Sequence, residues 1–185
     1  MTALYAPIAA GSLRLELLTE AHREPLRAVC AADTEIWVMY PYSMAGDAYD
    51  PVFDTMLAGA RQVYAIFDGG ALAGCTSWYN HDPANRSVYI GGTFIAPAVR
   101  GTGFNTALKR LMIGHALACG IDRIVFEVDV RNTRSCAAVL KLGAQKEGVL
   151  RRNRITWTGH VRDTAIFSLL RSEAESFLSG TQAAR

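Results

Sequence analysis

The spacing of apolar residues changes repeatedly along the chain, and each spacing predicts one kind of element. Alternation of apolar and polar residues over 13–17 predicts a first strand. Apolar residues three and four positions apart predict a helix from Phe104 to about Cys119. Six more strands are predicted over residues 63–67, 72–79, 88–95, 123–130, 145–154 and 161–170, and more helices around Leu26, over 50–62 and after Asn132. The strands on either side of the helix from Phe104 are expected to be parallel, because a crossover helix joins them.

A glycine-containing turn joins the predicted strand 88–95 to the helix that begins at Phe104. It contains Arg100-Gly101-Thr102-Gly103. The turn lacks the Gly-Lys-Ser/Thr ending of a nucleoside triphosphate loop and the third glycine of the dinucleotide fingerprint. Free N–H groups and the positive end of a helix dipole meet at such a turn and attract a phosphate. The turn alone is equally compatible with a tight connection that binds nothing.

Three stretches in the right order resemble the GNAT acyltransferases. The segment Pro97-x-x-Arg100-Gly101-Thr102-Gly103-x-Asn105 resembles the acetyl-CoA pyrophosphate loop of that family. Residues 127–135, followed by Leu142-Gly143-Ala144, resemble the stretch after the loop helix. Residues 147–168 resemble the C-terminal hairpin of the ribosomal-protein N-terminal acetyltransferase-like (RimJ/RimL-type) branch. The resemblance covers roughly residues 12 to 175.

This resemblance implies an α/β GNAT fold, in which a mixed, mostly antiparallel sheet of about seven strands has a splayed parallel central pair and flanking helices. It implies an N-acetyltransferase in which an amine directly attacks acetyl-CoA in a ternary complex, with no metal. The residues expected to bind acetyl-CoA are Phe94, Ile95, Val99, Arg100, Gly101, Thr102, Gly103, Phe104, Asn105, Asn132 and Ser135. Backbone N–H groups around Phe94 and Ile95 are the expected oxyanion donors.

Two adjacent glycines, Gly91 and Gly92, interrupt the strand before the turn. Glycine weakens a strand interior, so the pair predicts a bulge or a close approach by another chain. In GNAT proteins this strand bulges and splays from its parallel neighbour, and the pantetheine arm pairs with it. The resemblance therefore favours a cofactor gap here over a simple bulge.

The groups that move protons are not fixed by the resemblance. Tyr89 stands where relatives of this branch often carry a glutamate, and Val139 where many GNAT enzymes carry a tyrosine acid; Ala98 replaces the Gln or Arg that opens the loop motif. The remaining catalytic candidates are Glu127, Asp129 and Ser135, and a base acting through water is an alternative. Without a strong base, an α-amine is favoured over lysine because its pKa is lower.

The aromatic segment 36–42 is expected to border the acceptor amine. Trp37 and Tyr40 from this segment, together with Tyr89, are the predicted acceptor contacts, since aromatic side chains line most small-molecule sites. The alternative is that these residues only complete the core. His81 and Asp82 are adjacent in a predicted loop and are interpreted as solvated residues rather than a catalytic pair.

Composition changes this picture little. The chain has 185 residues, of which 50% are hydrophobic, and a net charge of +2. We expect one domain over 1–185, with a core at about 12–171 and a polar tail over 172–185. The charge suits an anionic ligand but does not indicate nucleic-acid binding. Four scattered cysteines fit neither a metal site nor a disulfide framework, and neither a signal peptide nor a membrane span is recognisable. A cytoplasmic protein without a membrane partner is expected, and a homodimer is left open.

The run Arg151-Arg152-Asn153-Arg154 is the densest basic stretch. It is interpreted first as a solvated strand end, with CoA phosphates, an acidic substrate or RNA as alternatives. Aromatic residues for base stacking are sparse nearby, so RNA ranks last. Two competing functions therefore stay open beside the acetyltransferase: a non-catalytic acyl-CoA-binding protein and an RNA- or ribosome-associated module.

Overall fold

In the computed structural model, which describes residues 3–180, helices pack on a mixed sheet of eight strands. The strands are β1 (Ile8–Ala10), β2 (Leu13–Leu17), β3 (Gln62–Asp68), β4 (Ala71–Asp82), β5 (Ser87–Ile95), β6 (Arg123–Asp129), β7 (Gln145–Ile155) and β8 (Val161–Leu170). The helices are α1 (Arg23–Ala31), α2 (Tyr49–Leu57), α3 (Phe104–Ala118), α4 (Thr133–Leu140) and α5 (Arg171–Ser179). Short 3-10 turns lie at Glu20–His22, Glu35–Met39, Gly46–Ala48 and Pro97–Val99.

The sheet order is β1-β2-β3-β4-β5-β6-β8-β7, and β5 and β6 are its parallel pair. Apolar residues alternate between its two faces, so each face has its own core. One core joins α3, α5 and β6 residues such as Leu108, Ala174 and Phe126. The other joins α1 and α2 to β3 and β5 through Leu26, Phe53 and Phe94. The predicted GNAT fold, with its parallel central pair, is confirmed.

The parallel strands β5 and β6 separate soon after they meet. They pair at Ser87–Arg123, Val88–Ile124 and Tyr89–Val125 only, although β5 runs on to Ile95 and β6 to Asp129. At the same level the register of β5 with β4 shifts between Gly91 and Phe94, and Gly92 has a φ of +59°. The predicted bulge and splay are therefore present, and they leave a V-shaped gap in the middle of the sheet.

Two glycines let neighbouring strands crowd around this bulge. A Cβ atom added to Gly74 of β4 would overlap the carbonyl oxygen of Phe94, and one added to Gly91 would lie 2.9 Å from the ring of Tyr79. Both distances are shorter than packed atoms tolerate, so a larger residue at Gly74 would push β4 and β5 apart, and one at Gly91 would displace the Tyr79 ring. The crowding explains the glycine at position 91, and the φ of +59° explains the glycine at position 92.

Three boundaries differ from the sequence predictions. Residues 172–179 are helical rather than a polar tail, because Glu173 accepts the N–H of Leu170 at 2.9 Å and Ala174 is fully buried; residues 181–185 lie outside the described part. Helix α2 ends at Leu57 instead of residue 62, because Gly59, two residues after Leu57, turns the chain with a φ of +87°. Strand β4 extends to Asp82 through its pairing with Ser87, so the predicted loop is short.

No helix between residues 3 and 180 is both long and apolar enough to cross a bilayer.

Candidate active site

A cleft of about 160 Å³ opens where β5 and β6 separate. Strand alternation divides its walls into two groups. Phe126 and Val128 of β6 face the α3 core, whereas Glu127 and Asp129 project from the opposite face. We call the α3 and α4 side of the cleft its cofactor half, bordered by Asn105, Lys109, Asn132, Ser135 and Val139. The opposite side is its acceptor half, bordered by Tyr40, Tyr42, Arg61, Tyr79, Glu127, Arg154 and Arg162.

The glycine turn stands at the start of α3, next to the cofactor half. Gly101 and Gly103 have φ values of +79° and +87°, which favour glycine. A Cβ atom on either would meet no protein atom within 4 Å, so the space over the turn is open. The first N–H groups of α3 have no intrahelical acceptor. The turn therefore has the free donors and the room that a phosphate requires.

Arg100 and Thr102 shape this turn instead of pointing into the open space. The Arg100 side chain donates to the Ile95 carbonyl at 2.8 Å and forms an ion pair with Asp33. The Thr102 hydroxyl donates to the Val99 carbonyl at 2.8 Å. The Arg100 side chain therefore fixes the loop to the end of β5, and the expected contact of Arg100 with acetyl-CoA stays a prediction.

Asn132 and Ser135 lie together at the start of α4, on the cofactor half. The Ser135 N–H donates to the Asn132 side-chain oxygen at 3.0 Å, so Asn132 caps the helix. This bond orients the asparagine and leaves its amide NH₂ and the serine hydroxyl beside the cleft. Val139, one α-helical turn further on, makes the same wall apolar.

Phe94 and Ile95 differ in the direction of their backbone groups. The Ala96 N–H donates to the Ala73 carbonyl of β4 at 2.8 Å, so by alternation Phe94 also faces β4 and Ile95 faces the gap. The Phe94 ring is buried and stacks on Trp37 with centroids 4.8 Å apart. Of the two predicted oxyanion donors, the geometry favours Ile95.

A buried polar chain crosses the floor of the cleft at Thr93. Its hydroxyl lies 2.8 Å from that of Thr76 and accepts a 2.8 Å hydrogen bond from the Lys109 ammonium. Its carbonyl accepts the Tyr40 hydroxyl at 2.6 Å. Burial lowers the pKa of Lys109 to about 7, because an ammonium loses its hydration there. The cofactor half thus contains a lysine that exchanges its proton near neutral pH.

The three predicted acceptor contacts occupy different places. Tyr40 borders the cleft. Trp37 is fully buried, and its carbonyl accepts the Trp157 indole N–H at 2.9 Å, which ties the β7–β8 turn to the 3-10 segment. Tyr89 packs behind Tyr79, with ring centroids 5.2 Å apart. Neither Trp37 nor Tyr89 borders the cleft, so direct acceptor contacts by these two residues are not supported.

Glu127 and Asp129 reach the acceptor half in different states. Glu127 lies 3.5 Å from the Tyr79 hydroxyl and 4.0 Å from an Arg154 nitrogen, without a close ion pair. Asp129 is buried and accepts the Arg131 N–H at 2.9 Å and its guanidinium at 2.8 Å. Burial raises the pKa of Asp129, but the hydrogen bonds and charge of Arg131 outweigh it and hold that pKa below its usual value. Asp129 is committed to Arg131, whereas Glu127 faces open space.

A second, more apolar recess of about 360 Å³ adjoins the acceptor half. It shares Tyr42, Arg61 and Arg154 with the cleft and continues along α2, past Val52 and Met56. Its lining suits the hydrocarbon part of a small molecule.

The acetyltransferase (GNAT) domain family matches residues 12–145, well over half of the chain. The chain belongs to the GNAT acetyltransferase family. Its fold is similar to that of a GCN5-related N-acetyltransferase from Brucella melitensis, with a TM-score of 0.88, 24% identity, and coverage of 97% of this chain and 85% of that one. It is also similar to spermidine N-acetyltransferase from Vibrio cholerae in complex with CoA and spermine, with a TM-score of 0.72 and 18% identity over 89% of this chain and 98% of that one. At these identities the two likenesses establish the fold alone.

A curated relative of this GNAT domain is the mycothiol acetyltransferase of Corynebacterium glutamicum. The two are 32% identical over 81 residues. The match covers 44% of this chain and only 27% of that protein. The chain therefore matches about a quarter of the curated relative's length.

Several cleft residues of this GNAT domain were not identified from the sequence. Lys109 comes directly after the buried Leu108 in α3, and no sequence signal shows that its side chain borders a cleft. Tyr79, Arg61 and Arg162 come from separate strands or turns that only the folded sheet brings together. Arg154 belongs to the basic run 151–154; it borders the cleft, whereas Arg151 and Arg152 are exposed.

Proposed function

We propose that this GNAT domain transfers the acetyl group of acetyl-CoA to an amine. The proposal rests on the gap between β5 and β6, which lies between the open turn at Gly101 and Gly103 and a cleft bordered by the Glu127 carboxylate. Such a gap suits a linear ligand that has phosphates at one end and its reacting group at the other.

The chain's own groups fit this cosubstrate along its whole length. The N–H groups of the turn and the first turn of α3 would hold the pyrophosphate. Asn105, Asn132 and Ser135 would border the arm, and the Ile95 N–H would stabilise negative charge that develops on the carbonyl oxygen. When bound, acetyl-CoA supplies the acetyl thioester.

Glu127 is our candidate for the general base. It borders the acceptor half, is half-buried, and its nearest arginine nitrogen, on Arg154, is 4.0 Å away, so its carboxylate can accept a proton from an amine directly or through water. Asp129 is assigned a positioning role because its oxygens are held by Arg131. On the cofactor half, Lys109 holds a proton at Nζ that it can release or regain near neutral pH.

An α-amine is our candidate acceptor. Its reference pKa of ~7.7–8.0 leaves much of it neutral near pH 7.5, whereas a lysine side chain has ~10.4 and is almost entirely protonated. Tyr89 and Val139 stand where relatives often keep proton-handling groups, so Glu127 receives no help from those two positions. The resemblance of residues 147–168 to the ribosomal-protein N-terminal acetyltransferase-like branch supports the same choice.

The test uses two matched peptides, one with a free N-terminus and a blocked lysine, the other with a blocked N-terminus and a free lysine. Free-thiol release from acetyl-CoA is followed near neutral pH, and the acetylated peptide is located by mass spectrometry. Faster release with the free N-terminus supports the proposal. Faster release with the free lysine contradicts the α-amine assignment, and tight acetyl-CoA binding without release with any amine would indicate an acyl-CoA-binding protein instead.

A further inference from the structure

Arg162 is a buried guanidinium with unused hydrogen-bonding capacity in the acceptor half. It lies on β8, directly opposite Arg154 of β7 in the strand register. The residue is only 5% exposed, yet its Nε has no hydrogen-bond partner among the described residues. Its nearest carboxylate oxygen, on Asp129, is 3.9 Å away and already accepts Arg131. A buried charge in this state is costly, which points to a ligand group that completes it.

The residues around Arg162 give the acceptor half an excess of positive charge. Arg154 approaches Glu127 at 4.0 Å, without a hydrogen bond. Arg61 stacks on the Tyr79 ring at 3.9 Å, and no carboxylate of the described residues lies within ion-pair distance of it. Asp129 lies within ion-pair distance of Arg162, but its oxygens are hydrogen bonded to Arg131, so it balances the charge of these arginines only in part. Three arginines, Arg61, Arg154 and Arg162, therefore face this half of the cleft. Among the described residues, Glu127 is the one carboxylate bordering this half that accepts no hydrogen bond from an arginine.

We propose that the acceptor of this enzyme is an amine that carries a carboxylate a few bonds from its nitrogen, and that Arg162 and Arg154 bind this carboxylate. The inference rests on the proposed function and specifies its substrate class. A guanidinium donates two parallel hydrogen bonds to a carboxylate, so the ligand would satisfy the free Nε of Arg162. With the carboxylate held there, the amine lies beside Glu127, and an apolar side chain can enter the recess along Val52 and Met56.

The same arrangement disfavours a polyamine. A spermidine-like acceptor carries only positive charges and would meet Arg61, Arg154 and Arg162 with Glu127 as its main partner. Like charges brought close together suppress the binding of a wrong partner. The V. cholerae spermidine enzyme thus shares the fold of this chain without predicting its acceptor.

The experiment compares acceptors that differ only in the carboxylate. One pair is leucine and leucinamide; the other is a short, lysine-free, C-terminally amidated peptide that begins with Glu or with Gln. For the parent, kcat/KM for thiol release should be about tenfold or more higher with the acid of at least one pair, since hydrogen bonds to charged groups have this magnitude. Leucinamide has the weaker base as its amine, so a preference for leucine cannot arise from amine pKa.

Variants connect the preference to the site. Arg162→Gln should reduce the acid-to-amide ratio to about one, through loss of activity with the acid. Arg151→Gln removes an exposed arginine from the same hairpin and should keep the parent ratio. If Arg162→Gln melts far below the parent, Arg154→Gln, whose side chain is 36% exposed, replaces it.

Binding separates failure of this inference from failure of the proposed function. Calorimetry in the presence of CoA should detect the acid acceptor with the parent and lose it with Arg162→Gln. Turnover of several amines with equal rates for acid and amide overturns the inference and leaves the acetyltransferase intact. Acid binding that depends on Arg162, without turnover of any amine, overturns the proposed function and keeps the anion site. Absence of both binding and turnover with the acids overturns the inference.

Discussion

The ammonium nitrogen of Lys109 donates a 2.8 Å hydrogen bond to the hydroxyl oxygen of Thr93 on the floor of the cleft. Because the residue is 7% exposed, the cost of removing its charge from water lowers its pKa from 10.5 to about 7. Thr93 also contacts Thr76 and Tyr40, so this proton is coupled to the bulge of β5. The lysine therefore links the pH dependence of stability to the site.

The first prediction concerns Lys109→Met. Between about pH 7 and 10.5 the unfolded chain holds a proton that the folded chain lacks, so the parent gains stability as pH rises through this window. The slope should approach 1.4 kcal/mol per pH unit, and below pH 7 the full cost of the buried charge remains. The Met variant should lose this slope and be more stable than the parent near pH 6. Urea titrations across pH measure both.

Lys146→Met is the matched control, since it removes an exposed lysine. It should follow the pH dependence of the parent. Parallel curves for the parent and Lys109→Met would mean that the lysine keeps an ordinary pKa in the folded protein.

Gly103→Val should abolish acetyl-CoA binding, and it should lower the stability of the fold only by about the backbone strain that it introduces. The residue has a φ of +87° and faces open space, so a valine costs roughly 1–2 kcal/mol of strain and fills the phosphate position. Gly159→Val, at a φ of +78° in the β7–β8 turn with equally open space, is its control. In thermal melts, acetyl-CoA at ~100 times its Kd should add about 2.7 kcal/mol to the parent and to Gly159→Val but not to Gly103→Val. NAD should stabilise none of them.

Glu127→Gln should lower kcat by about 100-fold or more while KM changes little. Glutamine has the same shape as glutamate but lacks the carboxylate that accepts the proton. Initial rates of thiol release measure this. Glu147→Gln is the control, since Glu147 bonds Arg123 on the sheet edge and does not border the cleft. A parental kcat in Glu127→Gln would mean that Glu127 is not the general base and that another group, acting through water, takes this role.

Local patterns predicted the parts of the site that consist of consecutive residues. The turn Arg100–Gly103 and the bulge at Gly92 are set by glycine conformation, which a sequence shows directly. The acceptor half was predicted less well, because it forms from several distant segments. Trp37 illustrates the limit: an aromatic residue suits both a pocket and a core, and only the stacking on Phe94 decides for the core.

The burial of a charged residue is equally hard to predict from the sequence. Alternation places Arg162 on the face of β8 shared with Thr164, but only the folded structure shows that both side chains on this face are buried. Short elements also escaped prediction. Strand β1 has only three residues. Helix α5 has a mostly polar sequence, and only the folded structure shows that its Ala174 is buried in the core.

Gly74→Ala should destabilise the protein by about 2–4 kcal/mol, because the new Cβ atom would overlap the Phe94 carbonyl and the residue has a φ of +144°. Gly148→Ala on β7 is the control, since a Cβ atom there meets nothing within 4 Å and its φ is not positive. Denaturant unfolding measures both. Equal midpoints for the two variants would mean that β4 and β5 do not approach as closely as described.

Acetyl transfer by this cleft is tested most directly by amine-dependent release of free thiol from acetyl-CoA by the parent protein, with acetylated amine identified by mass spectrometry. We expect release that saturates with acetyl-CoA, depends on the amine, and falls sharply in both Gly103→Val and Glu127→Gln. Thiol release that is equal with and without every amine tested, or that survives both substitutions unchanged, would contradict it.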